Sequence, residues 1–208
     1  DCSDGRILNF EDYVIGDLSS HQELLDLFQT LFESHPLLQA GFWHLVKVSF
    51  KNSKFVQVPT SLFMEEASGD YLKFNANIDQ EKEEIIYCQN KSIDAVTIFA
   101  VQKELLVWLK RIYSNTNIHF VHQSTALIEG VFQVAGQTPK NKLYIYVDRF
   151  KLHILSIEND KLIYYNQFAI KQFSDYVKYI MLVLKGLGMD QQTSEIVLWG
   201  YISNNSPH

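Results

Sequence analysis

The chain has 208 residues, 47% hydrophobic and 20% charged, a balance that excludes intrinsic disorder, collagen and coiled coil. A chain this long can bury a core without needing disulfides or metal. Its net charge of −6 argues against binding nucleic acid through phosphates, which takes a basic face.

Taken in chain order, residues 6–15 read as a strand that the Gly16-Asp17 pair breaks. Ser20 followed by Glu23 is a capping box, and Leu24, Leu25, Phe28, Leu31 and Phe32 then recur at helical spacing. Residues 44–50 alternate, Lys51-Asn52-Ser53-Lys54 reads as a turn, and Phe55, Val56 and Val58 continue, so a hairpin is expected there. A short helix follows through Phe63, Met64 and Ala67. The charge run at 79–84 lacks the spaced liganding pattern of a calcium loop and reads as a solvated loop. Strands are expected at 85–88 and 94–101, a helix at 103–113, a strand at 118–122 and a helix at 124–135.

The stretch Gln137-Thr138-Pro139-Lys140-Asn141 is the best candidate boundary, placed near residue 138. Beyond it, strands at 143–147, 152–157 and 162–168 form a meander, with Asn159-Asp160 suited to a tight hairpin turn. A helix follows, with Ser174 as its cap, Val177, Ile180, Met181, Leu184 and Leu187 on one face, and Gly188 at its end. Residues 195–199 make a last strand, closed by Gly200. Alternation of this kind argues for α/β layers, and the order of elements suggests a duplicated fold with a cleft between its halves.

Several strings together carry a resemblance. They are Val56-Gln57-Val58-Pro59 with Leu62-Phe63, then Tyr71-Leu72-Lys73-Phe74-Asn75 and Asp94-Ala95-Val96. His122 with Ser124-Thr125-Ala126-Leu127-Ile128-Glu129 and the closing Ile196-Val197-Leu198-Trp199-Gly200 complete the set. By their order and spacing the chain resembles the bacterial family known as domain of unknown function 3822, which is similar in fold to actin-like ATPases of the FtsA and PilM type. The resemblance implies a duplicated actin-like (ribonuclease H-like) α/β fold, incomplete at both ends. Residues 1–138 would be a first subdomain lacking its first strand, and 139–208 the start of a second.

In actin-like ATPases two related domains clamp a nucleotide, each through an Asp-x-Gly turn, with a Gly-Gly pair against adenosine. By resemblance the first turn would lie upstream of Arg6, and the second falls at Asp148-Arg149-Phe150-Lys151, with Asp148 as the magnesium-organising carboxylate. Phe150 stands where the glycine is expected, and a bulky residue there blocks the backbone approach that a phosphate needs. The adenosine position reads Trp199-Gly200-Tyr201, with one glycine. Asp148 and Gly200 are thus the two candidate nucleotide-binding residues, and these departures point to a degenerate scaffold.

Phosphate loops, dinucleotide fingerprints, nucleophile elbows and zinc-protease motifs are missing. His119 and His122 sit three apart on an expected strand and face opposite sides, so they do not share a metal. His122 before Ser124 could pair a base with a nucleophile, or simply neighbour a helix cap. Tyr144, Tyr146, Tyr164 and Tyr165 suit a ligand platform or cross-strand pairs under a helix. The longest apolar run near the C-terminus, 179–184, is far below the roughly 20 residues of a membrane span. Residues 1–6 carry no signal pattern, and the missing initial Met suggests that residues precede them. Two cysteines are too few for a disulfide framework, which suits a cytoplasmic chain.

The expected function is a non-catalytic scaffold that binds another protein, with no metal site, no catalytic residue and no resident cofactor. The alternative is an ATP-dependent enzyme, an ATPase or small-molecule kinase, holding ATP and magnesium in the cleft at Asp148.

Overall fold

The computed structural model describes residues 7, 9–13, 15, 16, 18–135 and 142–202. The expected boundary near residue 138 lies outside the described residues, as does Cys2. The helices are α1 (His21–Ser34), α2 (Pro36–Gln39), α3 (Ser68–Lys73), α4 (Lys103–Ile112), α5 (Gln123–Ala135) and α6 (Phe173–Gly186). The strands are β1 (Leu45–Phe50), β2 (Phe55–Pro59), β3 (Glu83–Asn90), β4 (Ala95–Gln102), β5 (Asn117–His122), β6 (Lys142–Val147), β7 (Lys151–Glu158), β8 (Lys161–Ala169) and β9 (Glu195–Gly200).

They form three sheets, ordered β1-β5, β2-β4-β3 and β8-β7-β6-β9. β1 and β5 run parallel, with Leu45 opposite Asn117 and Phe50 opposite His122. β2 and β3 flank β4 in antiparallel fashion. The expected hairpin over 44–58 is therefore wrong. Both strands exist, but the chain leaves β1 at Lys51 and carries β2 to a different sheet. The described residues of the expected first strand, at 7, 9–13 and 15, carry no strand pairing. There Glu11 instead takes the side chains of Asn9 and His35 as partners.

The second group of strands follows the sequence closely. Asn159 and Asp160 take φ of +51° and +58° in the β7–β8 turn. Two adjacent left-handed residues match the right-handed twist of a two-residue hairpin. β6 then pairs with β9 in parallel, so the ends of both strands emerge on the same side. α6 packs on one face of this sheet through Val183 and Leu184, against Leu143, Ile145, Val147, Leu152 and Ile154. Its cap is Gln172 with Asp175 rather than Ser174. Val177 turns outward, 53% exposed, while Val183 is 3% exposed. The helix closes as expected. Gly188 has φ +65°, its N–H donates to the Lys185 carbonyl, and the Met189 N–H donates to that of Leu184. This pair of bonds is a Schellman motif.

α5 covers the opposite face. Ile128 and Val131 pack with Tyr144, Leu155 and Ile157, and with Tyr165 and Trp199 at the margin. Tyr144, Leu155 and Tyr165 are register partners across β6, β7 and β8, so Tyr144 and Tyr165 flank Leu155 in one row under a helix, two strands apart. Tyr164 lies on the other face, against the α6 cluster. β1, β5, β4 and α4 meet in a further core of Phe99, Val101 and Leu106, with Phe50, Phe55 and Phe120 around it.

The charge run at 79–84 is only partly a solvated loop. Glu83 opens β3, is buried, and accepts twice from the Lys54 ammonium, at 2.6 and 2.8 Å, and once from the Asp79 N–H at 2.9 Å. A carboxylate this deep needs such partners.

Candidate functional site

β6 and β9 end side by side, with Val147 opposite Gly200. Strand ends of a parallel pair open onto the crevice where α/β sheets commonly take ligands. Asp148 follows β6 directly and Gly200 closes β9, so the two sequence-predicted residues do come together. Gly200 has a reason of its own. Its φ is +107°, and a Cβ there would lie 2.1 Å from the Val147 carbonyl oxygen and 3.0 Å from the Tyr146 ring. The Tyr201 N–H donates to that same carbonyl at 2.8 Å. Only glycine fits this close approach.

The Asp148 turn is tight. Asp148 N–H donates to the Lys151 carbonyl at 2.8 Å, and Asp148 Oδ1 accepts from the Arg149 N–H at 2.7 Å. None of residues 148–151 takes a positive φ, so Phe150 sits in ordinary backbone with its side chain 75% exposed.

The Asp148 side chain is only 3% exposed, and its Oδ2 forms an ion pair with the Lys51 ammonium from the end of β1. Burial by itself would raise the carboxyl pKa. The bond to Lys51 and the Arg149 N–H outweigh it and hold the group below the usual carboxylate range. Lys151 stands nearby, its pKa lowered by burial and by the Lys51 charge. Arg149 lies over the Tyr201 ring, 4.9 Å from its centroid, and 3.7 Å from Asp12. Tyr201 Oη donates to Asp12 at 3.1 Å.

Behind the turn lies a row of side chains on the α5 side of the sheet: Trp199, Tyr146, His153 and Gln167, register partners across β9, β6, β7 and β8. The rings of Trp199 and Tyr146 are 5.8 Å apart, and those of Tyr146 and His153 are 5.7 Å apart. His153 Nδ1 lies 2.9 Å from Tyr165 Oη, and its buried Nε2 has no hydrogen-bond partner among the described residues. Gln167 donates to the Asn52 carbonyl at 3.1 Å.

His122 Nε2 lies 3.3 Å from that same carbonyl. A carbonyl only accepts, so Nε2 carries the proton and Nδ1 is left to accept. It does so from the Ser124 hydroxyl at 2.7 Å and the Ser124 N–H at 3.2 Å. His122 and Ser124 are both fully buried, with Phe55 stacked on the imidazole at 4.3 Å. The pair thus meets as a base and hydroxyl would, yet in a place no substrate reaches, and it serves as the start of α5. Burial pushes both His122 and His153 down to about 4. His119 is exposed on the other side of β5. Among the described residues, no three His, Cys, Asp or Glu side chains converge on a point that could hold a metal ion.

Sequence reasoning missed Lys51, Lys151, His153 and Asp12 at this site. Lys51 stood inside an expected turn, and no local pattern ties it to a carboxylate on another sheet.

A family model described as protein of unknown function (DUF3822) matches residues 1–208. Among solved structures, a Bacteroides thetaiotaomicron protein with actin-like ATPase fold and unknown function superposes with a TM-score of 0.81. It is 26% identical, and the match covers 94% of this chain and 73% of that one. The fold is therefore an actin-like ATPase fold. The cytoplasmic domain of EpsL, an inner membrane component of the type II secretion system of Vibrio cholerae, gives 0.38 at 10% identity, over 77% of this chain and 66% of that one. No curated protein matches. Among the described residues, no helix is long and apolar enough to cross a membrane.

Proposed function

This chain belongs to the DUF3822 family, and we propose that it works there as a non-catalytic scaffold whose partner is another protein. The observation that supports this reading is the ion pair of Asp148 with Lys51. Magnesium is a hard cation held by carboxylate oxygens. Here one oxygen of the carboxylate accepts a backbone N–H and the other already carries an ammonium. A second cation at that oxygen would have to displace Lys51 against charge repulsion. The residues present therefore do not fit a magnesium–nucleotide complex organised by Asp148. The two-part division near residue 138 and a cytoplasmic setting belong to the same proposal.

An ATP-dependent enzyme remains the second reading, favoured by the cations Lys51, Arg149 and Lys151 around the turn. The two readings separate in thermal unfolding with and without millimolar magnesium-ATP. A ligand at about 100 times its dissociation constant adds roughly 2.7 kcal/mol to the folded state, which raises Tm by several degrees. The scaffold reading expects no shift. A shift that Asp148→Ala abolishes, together with turnover, would replace it with the enzyme.

A further inference from the structure

We infer that Arg149 and Tyr201 form a receptor for a carboxylate of the protein partner, and that the chain's own Asp12 occupies it until an acidic partner segment displaces it. This rests on the scaffold reading above and names the chemistry of the contact and its control.

The receptor is built by the two residues that follow Asp148 and Gly200. Arg149 lies over the Tyr201 ring, 4.9 Å from its centroid. A guanidinium is always charged, and a ring beneath it fixes its place. The backbone holds both residues. The Arg149 N–H donates to Asp148 Oδ1, and the Tyr201 N–H donates to the Val147 carbonyl. The two side chains then converge on one atom. Asp12 Oδ2 accepts from Tyr201 Oη at 3.1 Å and lies 3.7 Å from the guanidinium. A charged fork and a hydroxyl donor meeting on a carboxylate oxygen show which ligand the pair takes. Because both are set by their turns, little is lost in ordering them when a ligand arrives.

Asp12 belongs to a strap. Asn9, Glu11 and Tyr13 line a cavity of about 930 Å³ beside Phe32 and Trp43, whereas Asp12 does not. Alternate residues facing one way mark an extended stretch. Glu11 anchors one side, accepting from His35 Nε2 at 2.9 Å and Asn9 Nδ2 at 2.8 Å. Asp12 ties the other side to Tyr201, 189 positions away. The described residues of the strap carry no strand pairing, so no ladder has to break for it to leave. Asp12 is 49% exposed and Arg149 33%. Exposed ion pairs of this kind are weak, and an incoming carboxylate can replace Asp12.

Charge selects that partner. Lys51 is answered by Asp148 and Arg149 by Asp12, while Lys151 forms no ion pair among the described residues. The crevice mouth is thus locally positive on a chain of net charge −6, and it favours an acidic segment.

The test uses the full chain and the acetylated, amidated peptide Glu-Asp-Glu-Asp, followed by titration calorimetry. The wild-type chain binds it weakly, and Asp12→Asn binds it about fivefold more tightly, because the receptor is then free. Adding Arg149→Gln to Asp12→Asn removes the gain. Tyr201→Phe keeps the ring, loses only the hydroxyl and weakens binding roughly threefold, which tests the receptor even if Arg149→Gln fails to fold. Saturating peptide speeds chymotryptic cleavage after Tyr13 in the wild type, and Asp12→Asn speeds it without peptide. Equal affinity of the wild type and Asp12→Asn, binding indifferent to Arg149 and Tyr201, or equal binding of Gln-Asn-Gln-Asn would overturn the proposal. So would inorganic phosphate binding as tightly as the peptide, which would make this a general anion site. Failure here with no magnesium-ATP shift keeps the scaffold and removes the receptor. A magnesium-ATP shift that Asp148→Ala abolishes, together with turnover, removes the scaffold and with it the partner.

Discussion

At the residue scale, Asp148 and its partner carry the most information. A nearly buried carboxylate is stable only while its charge is answered. Lys51→Ala removes the answering ammonium and should cost about 2 kcal/mol at pH 7, below the roughly 3–5 kcal/mol of a fully buried pair because Lys51 is itself 48% exposed. Asp148 is held below the usual 3.8, so its stabilising share is present above that pH and is lost as pH falls. The deficit of Lys51→Ala should accordingly shrink below pH 4. Urea unfolding at pH 7 and pH 3.5 checks both statements, and an undiminished deficit at low pH would assign the effect to lost packing. His122 and His153 act through the opposite charge. Unfolded histidine takes a proton near pH 6.5, whereas these two resist until about 4. The unfolded state therefore binds more protons in that window, and stability falls as pH falls. Between pH 7 and 5 each histidine should contribute a loss of about 2 kcal/mol. A flat urea midpoint across that range would refute it.

At the scale of the element, α6 separates what periodicity can find from what it cannot. The helix, its extent and its terminal Gly188 were all legible. The orientation was legible only in part, because Val177 lies about 20° from buried Leu184 on the helical wheel yet is exposed near the start of the helix, whereas Val183, about 120° from Val177, is buried. Packing on Leu143, Ile145 and Val147 selects Val183. Val183→Ala should therefore cost about 2 kcal/mol in urea unfolding, and Val177→Ala less than about 0.5. The β7–β8 hairpin was equally legible, since Asn159-Asp160 writes its turn locally. The opening strand and the β1–β2 hairpin were not. Lys51-Asn52-Ser53-Lys54 has the chemistry of a hairpin turn, and nothing nearby reveals that β1 pairs in parallel with β5. Half of the candidate site was hidden for the same reason. Asp148 and Gly200 sit on patterned strands, while Lys51, His153 and Gln167 acquire their roles from partners on other elements.

On the scale of the whole molecule, contacts distant in sequence join the β8-β7-β6-β9 sheet to the rest. α5 places Ile128 and Val131 against Tyr144 and Leu155. The Asn52 carbonyl takes both Gln167 and His122, and Lys51 takes Asp148. A turn set among such contacts becomes part of the join between elements. The ion pair therefore bears on how the elements hold together as well as on the Asp148 turn itself.

The pairing of β1 with β5 has a consequence for the order in which the chain folds. Leu45 meets Asn117 only after β2, β3, β4 and α4 have been brought out of the way, so closing that loop comes before any reward from the pairing. The β7–β8 hairpin has a two-residue loop and can form within microseconds. Emerging from the ribosome, β1 must wait as a bare apolar edge until β5 has been made. In refolding, pulsed hydrogen exchange should protect the amides of β7 and β8 first and those of β1 and β5 last. For β1, that waiting time is the interval in which a chaperone or a neighbouring chain can compete for its edge.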